Sequence, residues 1–90
     1  MGIKINISPL LYQYTNDQRI VEVNGDTVGQ CLDHLVKQFP GIEKMLFDKN
    51  GKLRIYANIY VNKESAYPKG LAKPVKDGDE LDILFIIGGG

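Results

Sequence analysis

The sequence has 90 residues, 43% of them hydrophobic and 24% charged, with 11 lysines and arginines balancing 11 aspartates and glutamates. That length suits one small domain whose core just suffices without staples, and the neutral balance gives no global pull toward nucleic acid or an anionic membrane. A single cysteine, Cys31, and a single histidine, His34, exclude an intrachain disulfide and leave too few soft ligands for a zinc site.

No apolar run approaches the length of a membrane span, and Met1-Gly2-Ile3-Lys4 lacks a signal-peptide pattern. A soluble, cytoplasmic protein is expected. Asn6 stands where a myristoylation motif on Gly2 wants serine or threonine. Ile3, Ile5 and Ile7 alternate with polar residues, which predicts a half-buried strand over 3–8, stopped by Pro9. The stretch from Leu10 to Gln18 reads as a long hairpin connection. A second strand is expected over 19–24, with Val21 and Val23 inward, before Asn24-Gly25 turns the chain.

Thr27 then offers a helix cap with Gln30 at capping-box spacing, and Val28, Cys31, Leu32, Leu35, Val36 and Phe39 recur at helical rhythm until Pro40-Gly41. Residues 42–47 predict a single turn, and 48–51 a loop. A third strand is expected from Ile55 through Ala57, Ile59 and Val61, with Tyr56 and Tyr60 on its second face. Residues 65–74, holding Pro68, Gly70 and Pro74, predict a loop with at most one short edge strand, and Asp77-Gly78-Asp79 turns into a last strand over 80–87. One long crossover helix between the second and third strands suits an α+β roll with the first and last strands central and parallel.

The sequence closes on Gly88-Gly89-Gly90. Glycines add neither core nor propensity, but a peptide without side chains threads a narrow channel and presents its carboxylate with no β-carbon hindering attack. A frayed end is the plainer alternative. If Leu81, Ile83, Phe85 and Ile87 share one face, Leu84 and Ile86 share the other, where no second helix is available to cover them. A docking patch is expected there, joined by Tyr56 or Tyr60. Asp79 and Asp82 sit just upstream of the tail and are expected to steer it toward a basic partner surface. Asp77, Asp79, Glu80 and Asp82 miss the calcium-loop spacing, because Leu81 stands where an oxygen ligand belongs, so no metal is expected. Cys31 reads as a buried structural thiol and His34 as a solvated helix residue without a nucleophile partner.

Three runs, in this order before a terminal diglycine, carry a family resemblance: Asp26-Thr27-Val28 opening the Leu32, Leu35 helix that ends at Phe39-Pro40-Gly41, then Tyr60-Val61-Asn62-Lys63-Glu64, then Val75-Lys76-Asp77-Gly78-Asp79-Glu80-Leu81. Together they resemble the MoaD/ThiS family of ubiquitin-like sulfur carriers, over nearly the whole chain. The extended hairpin from Pro9 to Gln18 looks like the branch serving cysteine biosynthesis, whereas Phe85-Ile86 occupies positions often proline in the molybdopterin branch.

The resemblance implies a β-grasp roll, a mixed four- to five-stranded sheet packed on one main helix, over residues 1–87, with 88–90 as a flexible tail. It implies a protein cosubstrate rather than an enzyme, with no catalytic residue and no bound cofactor, able to serve as the small subunit of a sulfur-transferring synthase. An E1-like adenylyltransferase of the MoeB/ThiF type would use ATP and magnesium to adenylate Gly90. A persulfide would turn that acyl group into a thiocarboxylate, and Gly88 and Gly89 would thread the tail into the partner. A synthase subunit would accept the sulfur for molybdopterin, thiamine or cysteine. Two alternatives stand beside it: a ubiquitin-like modifier joined to lysines through Gly90, and a noncovalent β-grasp interaction module.

Overall fold

The computed structural model describes residues 2–86; the expectations for Ile87 and for Gly88, Gly89 and Gly90 fall outside the described residues. The strands are β1 (Ile3–Asn6), β2 (Ile20–Val23), β3 (Ala57–Val61), β4 (Glu64–Ser65) and β5 (Glu80–Phe85), with helices α1 (Val28–Gln38) and α2 (Glu43–Leu46) between β2 and β3. They form one mixed sheet in the order β2-β1-β5-β3-β4. β1 and β5 lie centrally and parallel, while β1–β2, β3–β5 and β3–β4 are antiparallel. This is the expected β-grasp roll.

Alternation decides which face is buried. Ile3 and Ile5 on β1, Val21 and Val23 on β2, Ile59 and Val61 on β3, and Leu81 and Ile83 on β5 are buried with Val28, Cys31, Leu32 and Leu35 of α1. Val36 and Phe39, expected in the same helical stripe, are only partly buried. Full burial of each large apolar side chain is worth about 1.5–3 kcal/mol before entropy is subtracted. Thr27 caps α1 by accepting from Gln30 N at 3.2 Å, but Gln30 Oε1 accepts from Asp26 N at 2.7 Å rather than from Thr27 itself. Both exposed donors at the helix start are therefore satisfied, one residue out of the ordinary capping-box register.

Two expectations need correction. The connection after β1 contains a 3-10 helix, Pro9–Tyr14, started by Ser8, whose hydroxyl accepts from Leu10 N at 3.3 Å. It drives Leu11 into the core at 0% exposure. Thr15 is equally buried, its hydroxyl 2.9 Å from Gln18 O, so a buried polar group is satisfied inside the loop. Ile55, expected on the inner face of the third strand, is 97% exposed. The Arg54 N–H donates to Leu46 O at 2.8 Å and Ala57 N–H donates back to Arg54 O at 2.9 Å, so Ile55 sits on the tip of a turn before β3 begins. Among the described residues, no helix is long and apolar enough to cross a membrane.

Candidate functional site

β5 delivers the chain toward the glycine tail. Its inward residues Leu81 and Ile83 are at most 1% exposed, whereas Leu84 is 47% exposed and Ile86 64%. The Ile86 N–H donates to Tyr56 O at 3.0 Å, which carries the pairing with the β3 side one residue beyond the strand. The backbone is thus held on its β3 side up to Ile86, while the outward side chains there meet solvent. Leu84 lies opposite Asn58 and Asp82 opposite Tyr60, so Tyr60 shares the open face with the expected patch. Tyr56 turns elsewhere: its ring meets inward-facing Phe85 edge-on, with centroids 5.5 Å apart.

The acidic residues before the tail divide into separate jobs. Asp79 Oδ1 accepts from Asn62 Nδ2 at 3.0 Å and Asp79 Oδ2 from Lys76 N at 2.9 Å. These bonds, the Asn62 amide foremost, hold the Asp79 carboxyl below the usual aspartate range. Asn62 also accepts from Glu80 N at 3.0 Å through its side chain and donates its backbone N–H to Glu80 O at 2.8 Å. It does so from φ 50, a left-handed conformation asparagine tolerates. Asn62 is therefore a latch that fixes where β5 starts, and Asp79 is half of that latch. Asp82 instead lies on the open face, where its Oδ1 accepts from Asn6 Nδ2 at 2.6 Å and its Oδ2 lies 3.2 Å from Lys63 Nζ. No group of three or more potential metal ligands occurs among the described residues.

Cys31 is wholly buried in α1. Burial first, then the charges of Asp26 and Asp79, push its thiol from an ordinary 9.0 up to about 11. The neighbouring backbone is equally tight, since a β-carbon on Gly25 would lie 2.8 Å from Cys31 N. Cys31 is expected to resist iodoacetamide at pH 8 until guanidinium unfolds the chain, as an intact-mass time course will show; prompt native alkylation would contradict its burial. The folded thiol keeps its proton where an unfolded one loses it. The stability this supplies is complete below about 9 and is lost as pH rises through about 11. His34 was expected to be solvated; it is half-buried, and its Nδ1 accepts from Asn24 N at 2.8 Å, tying α1 to the end of β2.

A cavity of about 560 Å³ opens beside α1 and α2, lined by Asp33, Glu43, Lys44, Phe47, Asp48, Lys49, Gly51 and Arg54. Its charges have both signs, and Arg54 Nε is already committed to Lys44 O at 2.7 Å. Nothing there forms a nucleophile–base pair. The described part of the chain closes with Leu84 and Ile86 exposed and the Ile86 backbone paired, and Ile87 and three glycines follow in the sequence.

The model of the ThiS family matches residues 8–90. Over the whole of both chains, the sequence is 37% identical to a protein of Mycobacterium tuberculosis named sulfur carrier protein CysO. Among solved structures, the fold superposes with a TM-score of 0.90 on the crystal structure of the Amycolatopsis orientalis BexX/CysO complex, at 34% identity, covering 99% of this chain and 100% of the other. It superposes at 0.81 on SAMP1 from Haloferax volcanii, at 32% identity and 98% coverage of each chain.

Proposed function

The chain belongs to the ThiS family and is a ubiquitin-like sulfur carrier; from that premise we propose that the sulfur is carried as a thiocarboxylate on Gly90. A free carboxylate is anionic and resonance-stabilised, so a nucleophile does not displace its oxygen without activation. In the proposed cycle an E1-like adenylyltransferase of the MoeB/ThiF type binds MgATP, and the Gly90 carboxylate attacks the α-phosphorus with loss of pyrophosphate. The metal offsets phosphate charge on that enzyme, not on the carrier. A persulfide sulfur then attacks the acyl carbon and AMP leaves. Cleavage of the resulting S–S bond by a thiol leaves sulfur on Gly90, nucleophilic yet never free as sulfide.

The observation that supports this most is the exit of β5: backbone pairing up to Ile86, exposed Leu84 and Ile86, then Ile87 and three glycines in the sequence. Such an end offers a partner a fixed handle and a thread without side chains. In this reading the chain is a protein cosubstrate, with Gly88 and Gly89 threading Gly90 into successive active sites in the cytoplasm. A sulfur-accepting synthase subunit is its second partner, a role in keeping with the solved complex of a CysO protein with BexX. The CysO likeness favours the cysteine-type branch suggested by the Pro9-to-Gln18 insert, and the molybdopterin branch finds no support in it.

The activation step is tested by ATP–pyrophosphate exchange with the ThiF-type enzyme of the same organism. Exchange that depends on this chain is expected, and its absence at saturating enzyme would remove the adenylation step. Replacing Ile86 with glutamate is expected to raise the concentration of chain needed for half-maximal exchange about tenfold, as burying a charge at an apolar contact does. Its melting temperature is expected to stay within a few degrees, because Ile86 is 64% exposed. A modifier reading has its own support: 38% identity over 71 residues to the curated small archaeal modifier protein 1 of Haloferax volcanii. It shares the adenylation and differs in the acceptor, so conjugates on lysines separate the two.

A further inference from the structure

One edge of the sheet is the outer side of β2, the first strand in the order β2-β1-β5-β3-β4. The Ile7 N–H donates to Arg19 O at 2.8 Å, and the antiparallel register carries that pairing on to Val21 and Val23. Alternation therefore turns the backbone groups of Glu22 and Asn24 away from β1, toward the edge. An edge with bare N–H and C=O groups is a template for pairing with another chain. Two side chains of α1 cover this one. Gln38 Nε2 donates to Glu22 O at 3.0 Å, and His34 Nδ1 accepts from Asn24 N at 2.8 Å. The two stand four residues apart on one face of the helix, so together they form a clasp along the strand.

The two arms of the clasp differ in one property. The Gln38 amide donates whatever the proton concentration, whereas an imidazole nitrogen accepts only while the ring is neutral. Once the ring is protonated both of its nitrogens are donors, and a second N–H confronts that of Asn24. Asp33 and Lys37 line the recess of about 310 Å³ that holds His34 with Asn24 and Gln30, so α1 sets one charge of each sign beside the ring. From β2, Glu22 lines a different recess, with Lys4, Asp79 and Glu80. In the turn between β2 and α1, Asp26 presents its backbone N–H to Gln30 Oε1. We infer that His34 is a proton-operated guard of the β2 edge: neutral, it closes the edge together with Gln38; protonated, it releases Asn24 and the edge opens from that end.

The test is nuclear magnetic resonance of the isotope-labelled chain at about pH 8 and about pH 5, the span over which histidine side chains change charge. Two signals are read. One is the scalar coupling across the N–H···N bond from Asn24 to His34. The other is the amide-exchange protection of Asn24 relative to Val23, whose N–H is turned toward β1. The coupling is expected at the higher pH and not at the lower, where the relative protection of Asn24 is expected to fall about two- to tenfold, the worth of one ordinary hydrogen bond. His34→Gln keeps an acceptor that does not titrate, so its relative protection is expected to be the same at both values. Gln38→Ala removes the other arm and is expected to leave the pH dependence in place. A relative protection of Asn24 that ignores pH in the unaltered chain, or that changes equally in His34→Gln, overturns the guard. Coupling retained at the lower pH overturns it as well, and that reading needs no variant to fold.

Discussion

Deleting Gly89 and Gly90 is expected to abolish ATP–pyrophosphate exchange and thiocarboxylate formation while leaving the melting temperature unchanged. The effect is all or none because the reacting atom is displaced, not merely weakened. An extended residue spans about 3.3–3.6 Å, so removing two withdraws the carboxylate by about 7 Å from an active site whose nucleophile has to approach within about 3.5 Å of it. Lengthening the chain by a single alanine tests the same geometry, since it both displaces the carboxylate and places a β-carbon beside it. Stability is insulated from both changes, because the buried cluster is made by residues from Ile3 to Ile83. A noncovalent binding module predicts the opposite pattern, with partner affinity surviving the deletion. Retained exchange in the deletion variant would show that Gly90 is not the activated residue.

The second large effect is on folding. Leu11→Ala is expected to destabilise the domain by about 2–5 kcal/mol, the range for emptying a fully buried leucine site. Leu11 is 0% exposed, and the 3-10 helix that carries it has no other buried residue. Without that anchor, the loop from Pro9 loses its main hold on the core. A domain of this size holds only about 5–15 kcal/mol in total, and each kcal/mol moves its midpoint by about 4–8 °C. A melting temperature lowered by at least about 10 °C is therefore the expected outcome of differential scanning calorimetry. A shift of only a degree or two would mean that the insert is a surface loop, as its sequence alone suggests.

The contrast between Leu11 and Leu35 explains which parts of the fold the sequence discloses. α1 is legible because its signals are local: Thr27 caps it, apolar residues recur at 3.6-residue spacing, and Pro40 closes it. β1 and β5 are legible for the same reason, through alternation over a few residues. A 3-10 helix of six residues is too short to show a period, so Leu11 looked like any loop leucine. Ile55 misled in the other direction. Its alternation with Ala57 and Ile59 continues across a turn created by Leu46 and Arg54, and pattern alone has no means to mark where pairing starts.

The open face was legible only in part. Alternation predicted that Leu84 and Ile86 point away from α1, and both do. The polar centre beside them was not readable, because Asn6 meets Glu80 and Asp82 across 74 and 76 positions of sequence. Likewise, Asp79 looked like a free acid near the tail until Asn62, 17 positions away, was found to hold it. The motif residues Asn62 and Asp79 thus have a structural reason for standing together, whereas Asp82 lies on the open face against Asn6 and Lys63.

The most direct test of the sulfur-carrier account is a top-down mass measurement of this chain after incubation with its ThiF-type enzyme, MgATP and a persulfide donor. The account predicts a gain equal to exchanging one oxygen for sulfur, localised to Gly90 by fragmentation and absent when ATP is withheld. Sulfur on Cys31 instead, or an unchanged Gly90 in a reaction where the enzyme consumes ATP, would contradict it.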